Sequence, residues 1–305
     1  MLPVNTPHPV NPGDDPLIYV FHNTLGDQGV CGFTLARSQQ PPESACLLVN
    51  LAQHTQRVLH TLCQKGILYE RPTTLLALAA LRPGDTVIDV GAHVGLLSIL
   101  GRLAVGATGR VYAFEPMPDT FQRLRDNIAF NGFENVYALP LALDEQPGSA
   151  VFHINPANEG ESSLLAQQGC IPHPVEVATL DALFTGELEA RPRLLKLDVE
   201  GVELRVLRGG TRFFAEHAPD LVFCEVNSGA LAAGGTSEAE LRRFFTERGY
   251  RCAVVSNGLP GLALPDNRFY RVLADDEASA LPDNAYVYNL MFVRADAGLY
   301  PAASL

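Results

Sequence analysis

The chain has 305 residues, 47% of them hydrophobic and 18% charged, a globular composition long enough to bury a sizeable core. Its formal net charge is −12 and no Lys/Arg cluster stands out, which argues against DNA, RNA or an anionic membrane as partner. No apolar run approaches the ~18–20 residues that span a bilayer, and residues 1–16 lack the basic and apolar regions of a secretory signal. The six cysteines, at 31, 46, 63, 170, 224 and 252, form no C-x-x-C pair. Their irregular spacing favours reduced, buried thiols in a cytoplasmic protein over a disulfide framework or a zinc site.

Residues 1–16, rich in Pro, Asn and Asp, read as a loosely ordered arm, and LIYVF (17–21) as a short strand. After the loop marked by Pro41-Pro42, residues 44–64 carry Leu48, Leu51, Ala52, Val58, Leu59 and Leu62 at largely helical spacing. That spacing predicts an amphipathic helix. Residues 1–65 are therefore expected to form an arm and a helical extension, serving as a cap over the substrate or as a homodimer interface. Residues 66–305 form the main domain. A helix is predicted at 71–81, and from 86 onward strand and helix patterns alternate. Strands are expected at 86–90, 110–116, 135–143, 193–201, 221–227, 250–256 and 285–294, with helices near 95–105, 121–132 and 237–249. A strand pair is expected at 149–154 and 174–178. The alternation predicts βαβ units and a mostly parallel sheet, its last strand antiparallel.

Residues 87–99, VIDVGAHVGLLSI, run from an apolar strand through a glycine turn into an apolar helix, a device that lets the backbone approach a nucleotide-like cofactor. A dinucleotide fingerprint reads G-x-G-x-x-G, whereas here the glycines fall at Gly91 and Gly95 with His93 between them. A side chain at 93 would crowd a pyrophosphate. Asp89, before the first glycine, suits a cofactor with a cationic end, such as the amino group and sulfonium of S-adenosylmethionine (SAM). Glu115 ends the next strand, where a carboxylate can accept hydrogen bonds from ribose hydroxyls. The pattern favours SAM. An NAD-type oxidoreductase is the runner-up, and a non-catalytic SAM-binding protein of the same fold is a third reading.

Five stretches carry a resemblance: GILYERPTTLLALAALRPGDTVIDVGAHVG (66–95), YAFEP, NEGESSL (158–164), TLDAL (179–183) and LLKLDVEGVELRVLRGG (194–210). Together with FCEVN (223–227) and NLMFV (289–293), they resemble the FkbM-type SAM-dependent methyltransferases over roughly residues 66–294. The resemblance implies a class I methyltransferase fold, Rossmann-like, with a seven-stranded sheet. It also implies O-methylation of hydroxyls on natural products or glycans.

Methyl transfer to a hydroxyl needs a positioned nucleophile and a base. Asp198, Glu200 and Glu225 fall at the carboxyl edge of the sheet, where ligands bind in such folds. Asp198 or Glu200 is the preferred base and Glu225 the third candidate. Glu203 suits a helix N-terminus, and Lys196 suits an ion-pair partner for these acids. Catalysis without a metal ranks above a divalent ion on Asp198 and Glu200 or Glu225. The cofactor set is Asp89, Gly91, Ala92, His93, Gly95, Glu115, Pro116, Ala142 and Asp198, with the His93 side chain turned away from the methyl group. In the family reading Ser162 and Ser163, in the loop 155–173, lie near the substrate mouth. The acceptor is a hydroxylated small molecule.

Overall fold

The computed structural model describes residues 8–9, 16–38, 40–184, 186, 188, 190–255, 269–274 and 287–299. The arm expected over 1–16 therefore lies largely outside the described residues. The chain opens with a four-stranded antiparallel sheet of β1 (His8–Pro9), β2 (Leu17–Leu25), β3 (Gln28–Ala36) and β4 (Glu43–Asn50). The single helix expected over 44–64 is corrected by this sheet. Residues 43–50 are a strand, and the helix α1 begins only at His54 (His54–Gln64). Ala45, Leu47 and Val49 are the buried residues of β4, which is the period-2 alternation of a half-buried strand. Leu48, taken for part of a helical stripe, points to the other side of that strand. The described residues among 1–65 are thus mainly β-structure, with α1 as their one helix.

The large sheet begins after α2 (Arg71–Ala80) with β5 (Thr86–Val90), α3 (Leu96–Val105), β6 (Arg110–Phe114), α4 (Pro118–Phe130) and β7 (Val136–Leu139). The strand expected over 135–143 breaks at Pro140, which has no N–H to give a ladder. Residues beyond it form β8 (Leu141–Leu143) in a separate small sheet with β9 (Gly148–Ile154) and β10 (Ile171–Ala178), in the order β8-β10-β9. The chain then runs through α5 (Leu180–Phe184), β11 (Leu194–Leu197), α6 (Glu203–Arg208), α7 (Thr211–His217), β12 (Leu221–Asn227), α8 (Ser228–Ala233) and α9 (Glu238–Thr246). It closes with β13 (Tyr250–Val255), β14 (Tyr270–Val272) and β15 (Val287–Arg294).

The strand order is β14-β13-β15-β12-β11-β5-β6-β7. Strands β5, β6, β7, β11 and β12 pair in parallel, and β15 lies antiparallel between β12 and β13, as expected from its late position. Among the described residues the sheet has eight strands where seven were expected. The extra one, β14, is a three-residue edge strand too short to leave a sequence pattern. Chain order reverses between β5 and β11, and the crevice at such a switch point is where an open α/β sheet binds its ligand.

The N-terminal sheet is built into this domain. Its residues share one core with α2 and α3. The free edge of β4 is closed by two asparagines, Asn127 of α4 and Asn131 at the C-terminal cap of that helix. The Asn127 side chain accepts from Leu48 N and donates to Leu48 O, and Asn131 does the same for Cys46. An exposed row of strand donors and acceptors is thereby satisfied.

Candidate functional site

One cavity of about 290 Å³ opens at the carboxyl ends of β5, β6, β11 and β12. Asp89, Gly91, Ala92, His93, Glu115, Pro116, Ala142, Ser162, Asp198, Glu200 and Glu225 all line it. Of the expected site residues, Gly95 and Ser163 do not.

Two glycines set the turn after β5. Gly91 has φ +82°, and a Cβ there would stand 1.8 Å from the carbonyl oxygen of Asp198, so β5 and the end of β11 can meet only over a glycine. Gly95 has φ +94°, and a Cβ would meet Leu124 at 2.6 Å, so its smallness serves helix packing against α4. Between them His93 adopts φ +52°, a left-handed conformation that costs a side-chain-bearing residue roughly 1–2 kcal/mol. Its backbone N–H donates to Glu115 Oε2 at 2.9 Å. The other carboxylate oxygen, Oε1, accepts from Met117 N at 2.9 Å. Glu115 is thus fixed by two backbone donors while each oxygen keeps a lone pair for a ligand hydroxyl. Asp89, fully buried, accepts from Ser98 Oγ at 2.6 Å.

The far side of the cavity is a coupled group of carboxyls. Lys196 Nζ lies 2.6 Å from Asp198 Oδ2 and 3.7 Å from Glu70 Oε2, and Lys196 stands opposite Asp89 in the β11–β5 register. Burial alone would raise the Asp198 carboxyl, but Lys196 outweighs it and holds the group below its ordinary range. Burial pushes Glu225 well above that range, and Asp198 and Glu200 add to the push, which favours its neutral form beside Asp198. Burial likewise lifts Glu200 to about 8, assisted by Asp198 and Glu203. Asn227 Nδ2 donates to Glu200 Oε2 at 3.2 Å. Glu203 accepts from Val199 N and Gly201 N, clamping the turn that presents Asp198 and Glu200. Carboxylate oxygens of Glu70, Asp198 and Glu225 lie within 4.8 Å of one another, a spacing that suits a cation, and Lys196 supplies a cation from the chain itself.

Ser162 and Ser163 part company. Ser162 lines the cavity, whereas the buried Ser163 hydroxyl donates to Glu200 O at 2.8 Å and accepts from Leu165 N. Ser163 supports the turn and does not line the cavity. Sequence reading missed Glu70, Thr55, Glu159 and Asn227, all of which line the cavity. Glu159 Oε1 accepts from Gln56 N at 3.1 Å and lies 3.7 Å from His93 Nε2, so it joins the cofactor turn to the start of α1. Burial opposes ionisation of Glu159, but His93 and Gln56 prevail and lower it to about 2. Glu70 had one signal in the sequence: it precedes Arg71-Pro72, and proline in the first turn fixes a helix start.

The site suits SAM. Asp89 and the Glu70–Asp198 side offer carboxylates to a cationic end, Glu115 offers two oxygens to a ribose, and Met117, Ala142 and Phe152 give an apolar wall for a base. No helix among the described residues is long and apolar enough to cross a membrane.

Comparison with known proteins bears on the same residues. The sequence profile of the methyltransferase FkbM domain matches residues 89–252, more than half of the chain. The hexuronic acid methyltransferase AglP of Haloferax volcanii is 28% identical over 181 residues, covering 58% of this chain and 72% of that protein. Methyltransferase 1 of Beauveria bassiana is 29% identical over 149 residues, covering 42% of this chain and 59% of that protein, so the match spans less than two thirds of the latter's length. A solved SAM-dependent O-methyltransferase from Thermotoga maritima is 14% identical with a TM-score of 0.42, covering 86% of this chain and 77% of its own. The chain belongs to the FkbM-domain family of methyltransferases, and its cofactor is SAM.

Proposed function

We propose that the protein O-methylates a hydroxyl of a small-molecule acceptor such as a natural product or sugar, with Glu200 as general base. When bound, SAM would supply an electrophilic methyl carbon on a sulfonium, which the acceptor oxygen attacks in line while the sulfur leaves as the thioether of S-adenosylhomocysteine. The acceptor's proton then has to leave, and three carboxyls stand at the cavity to take it. Asp198 is committed to Lys196 and held acidic, which makes it a weak base. Glu225 is pushed well above the ordinary carboxylate range by burial and its acidic neighbours, which favours its neutral form. Glu200 lines the cavity with its carboxylate oriented by Asn227 Nδ2 at 3.2 Å, and this placement carries the assignment; its rise to about 8 under burial and neighbouring acids matches it to accepting a proton near neutral pH. Metal-free operation is supported by Lys196, whose ammonium already stands against Asp198 and Glu70, two of the carboxylates a divalent ion would need.

The cofactor seat in this reading comprises Asp89, Gly91, Ala92, Glu115, Pro116 and Ala142. His93 contributes its backbone N–H and turns its ring toward Glu159. The N-terminal region acts as a cap and not as a dimer interface: α1 brings Thr55 and Leu59 to the cavity wall, and β4 is closed by α4. A cavity lined by eight acidic side chains among the described residues disfavours a polyanion such as nucleic acid. The free cysteines suit a reducing, cytoplasmic setting.

The test is calorimetric titration with SAM and S-adenosylhomocysteine, then incubation of the loaded protein with a panel of hydroxylated glycosides and polyols under mass and NMR detection. Binding of both sulfur compounds with an O-methyl product is expected. Binding with methyl transfer only to amines would overturn the hydroxyl assignment.

A further inference from the structure

The short helical turn Glu159–Glu161 brings to the cavity a carboxylate that the fold only half uses. Glu159 is 6% exposed, and its Oε1 accepts from Gln56 N, but its Oε2 has no hydrogen-bond partner among the described residues. His93 Nε2, also at the cavity, has none either. Buried polar atoms are matched as a rule, since an unmatched one has given up water for nothing. We propose that Glu159 and His93 hold a second hydroxyl of the methyl acceptor, which makes that acceptor a polyol such as a pyranose ring, a role that rests on the O-methylation reading above.

The pair selects a hydroxyl by its chemistry. Burial opposes ionisation of Glu159, but His93 and the Gln56 N–H lower it to about 2, which favours the carboxylate, an acceptor only. His93 Nε2 lies 3.7 Å from Glu159 Oε1, beyond a hydrogen bond but near enough to favour a proton on that nitrogen. A group that satisfies both atoms must give one hydrogen bond and take another, and a hydroxyl does so through a single oxygen. An ammonium has nothing to accept with. A carboxylate or phosphate would set like charge against Glu159.

Position separates this hydroxyl from those of the cofactor ribose, which fall to Glu115. The segment that carries Glu159 closes over the turn of the proposed base: Ser163 Oγ donates to Glu200 O at 2.8 Å. Burial and acidic neighbours push Glu200 up, and Glu161, which lines the same cavity, is one of those neighbours. On its other side the segment meets α1, where Thr55 Oγ1 donates to Asn158 Oδ1 at 2.8 Å. Glu159 thus belongs to the wall that joins the base to the N-terminal region. An acceptor whose reacting hydroxyl meets Glu200 sets its neighbouring groups against that wall.

The experiment measures methyl transfer from SAM by the full chain to two kinds of ring. The methyl pyranosides of glucose, mannose and galactose offer several hydroxyls, and cyclohexanol and cyclohexylmethanol offer one. The wild type is expected to turn over at least one pyranoside with a kcat/KM about tenfold or more above either single-hydroxyl ring. Glu159→Gln keeps a carbonyl for Gln56 N and puts an amide donor where Oε2 accepts. It should raise KM for that pyranoside about tenfold, the effect of one charged hydrogen bond, while calorimetric affinity for S-adenosylhomocysteine is unchanged. That affinity also reports that the variant is folded. Should it fail to fold, the wild-type preference between the two kinds of ring decides alone. Equal turnover of both kinds overturns the inference and leaves O-methylation standing. So does a Glu159→Gln protein that loses affinity for S-adenosylhomocysteine with its acceptor KM unmoved, which would give Glu159 to the cofactor. Transfer to neither kind, in protein that binds S-adenosylhomocysteine, overturns the hydroxyl reading beneath it as well.

Discussion

The two ends of the cavity hold carboxyl groups of opposite character. At the β6 end Glu115 stands alone, each oxygen fixed by a backbone N–H from its own turn or the neighbouring one. At the β11–β12 end Glu70, Asp198, Glu200 and Glu225 share one ammonium and push one another's protonation apart. A carboxylate held by rigid backbone donors is suited to recognising a fixed shape. A coupled group, in which one acid is held low, one is pushed high and one is raised to about 8, is suited to moving a proton. The difference separates binding from chemistry within a single cavity.

The comparison breaks first at Glu200. Glu200→Gln is expected to lower kcat about 100-fold, the worth of a positioned general base, while affinity for S-adenosylhomocysteine is unchanged. Because the folded-state value of Glu200 is raised to about 8, only a minor fraction is in the base form at neutral pH. Wild-type kcat/KM should therefore climb with pH and level off above that value. Steady-state assays across the pH range check both points, and a flat profile would remove Glu200 from the base role.

The opposite end gives a smaller effect on a different quantity. In Glu115→Gln one oxygen becomes an amide N–H facing a backbone N–H, so an unfavourable contact replaces a charge-assisted bond. Affinity for S-adenosylhomocysteine should fall about thirtyfold by calorimetry. A change confined to kcat would mean that the two ends are not divided as described. The smallest effect sharpens the role of the turn between them. Ser163→Ala removes the hydroxyl between Glu200 O and Leu165 N and should cost about 1 kcal/mol in urea denaturation. Affinity for S-adenosylhomocysteine should stay intact, since Ser163 does not line the cavity.

What the sequence determined by itself was whatever depends on neighbours along the chain. The strand, glycine turn and helix at 87–99, the carboxylate ending β6, and the acids following β11 were legible because strand period and turn stereochemistry act over a few residues. The choice of SAM over NAD rested on Asp89 and the missing middle glycine, again a local pattern. What only the tertiary structure decided were matters of long-range meeting. The alternation in 43–50 is short and its apolar residues also fit a helical stripe, so only pairing with β3 and closure by Asn127 and Asn131 identify a strand. Pro140 was visible, but that it passes the chain from one sheet to another was not. Ser162 and Ser163, adjacent in sequence, face different surroundings because the loop folds against the turn of Glu200. Glu70, more than a hundred residues before Lys196, meets it at 3.7 Å because α2, which follows Glu70, shares a core with Val87 of β5 and Leu194 of β11. Protonation of the coupled acids was settled there too, since it depends on burial and on charges brought close by the fold.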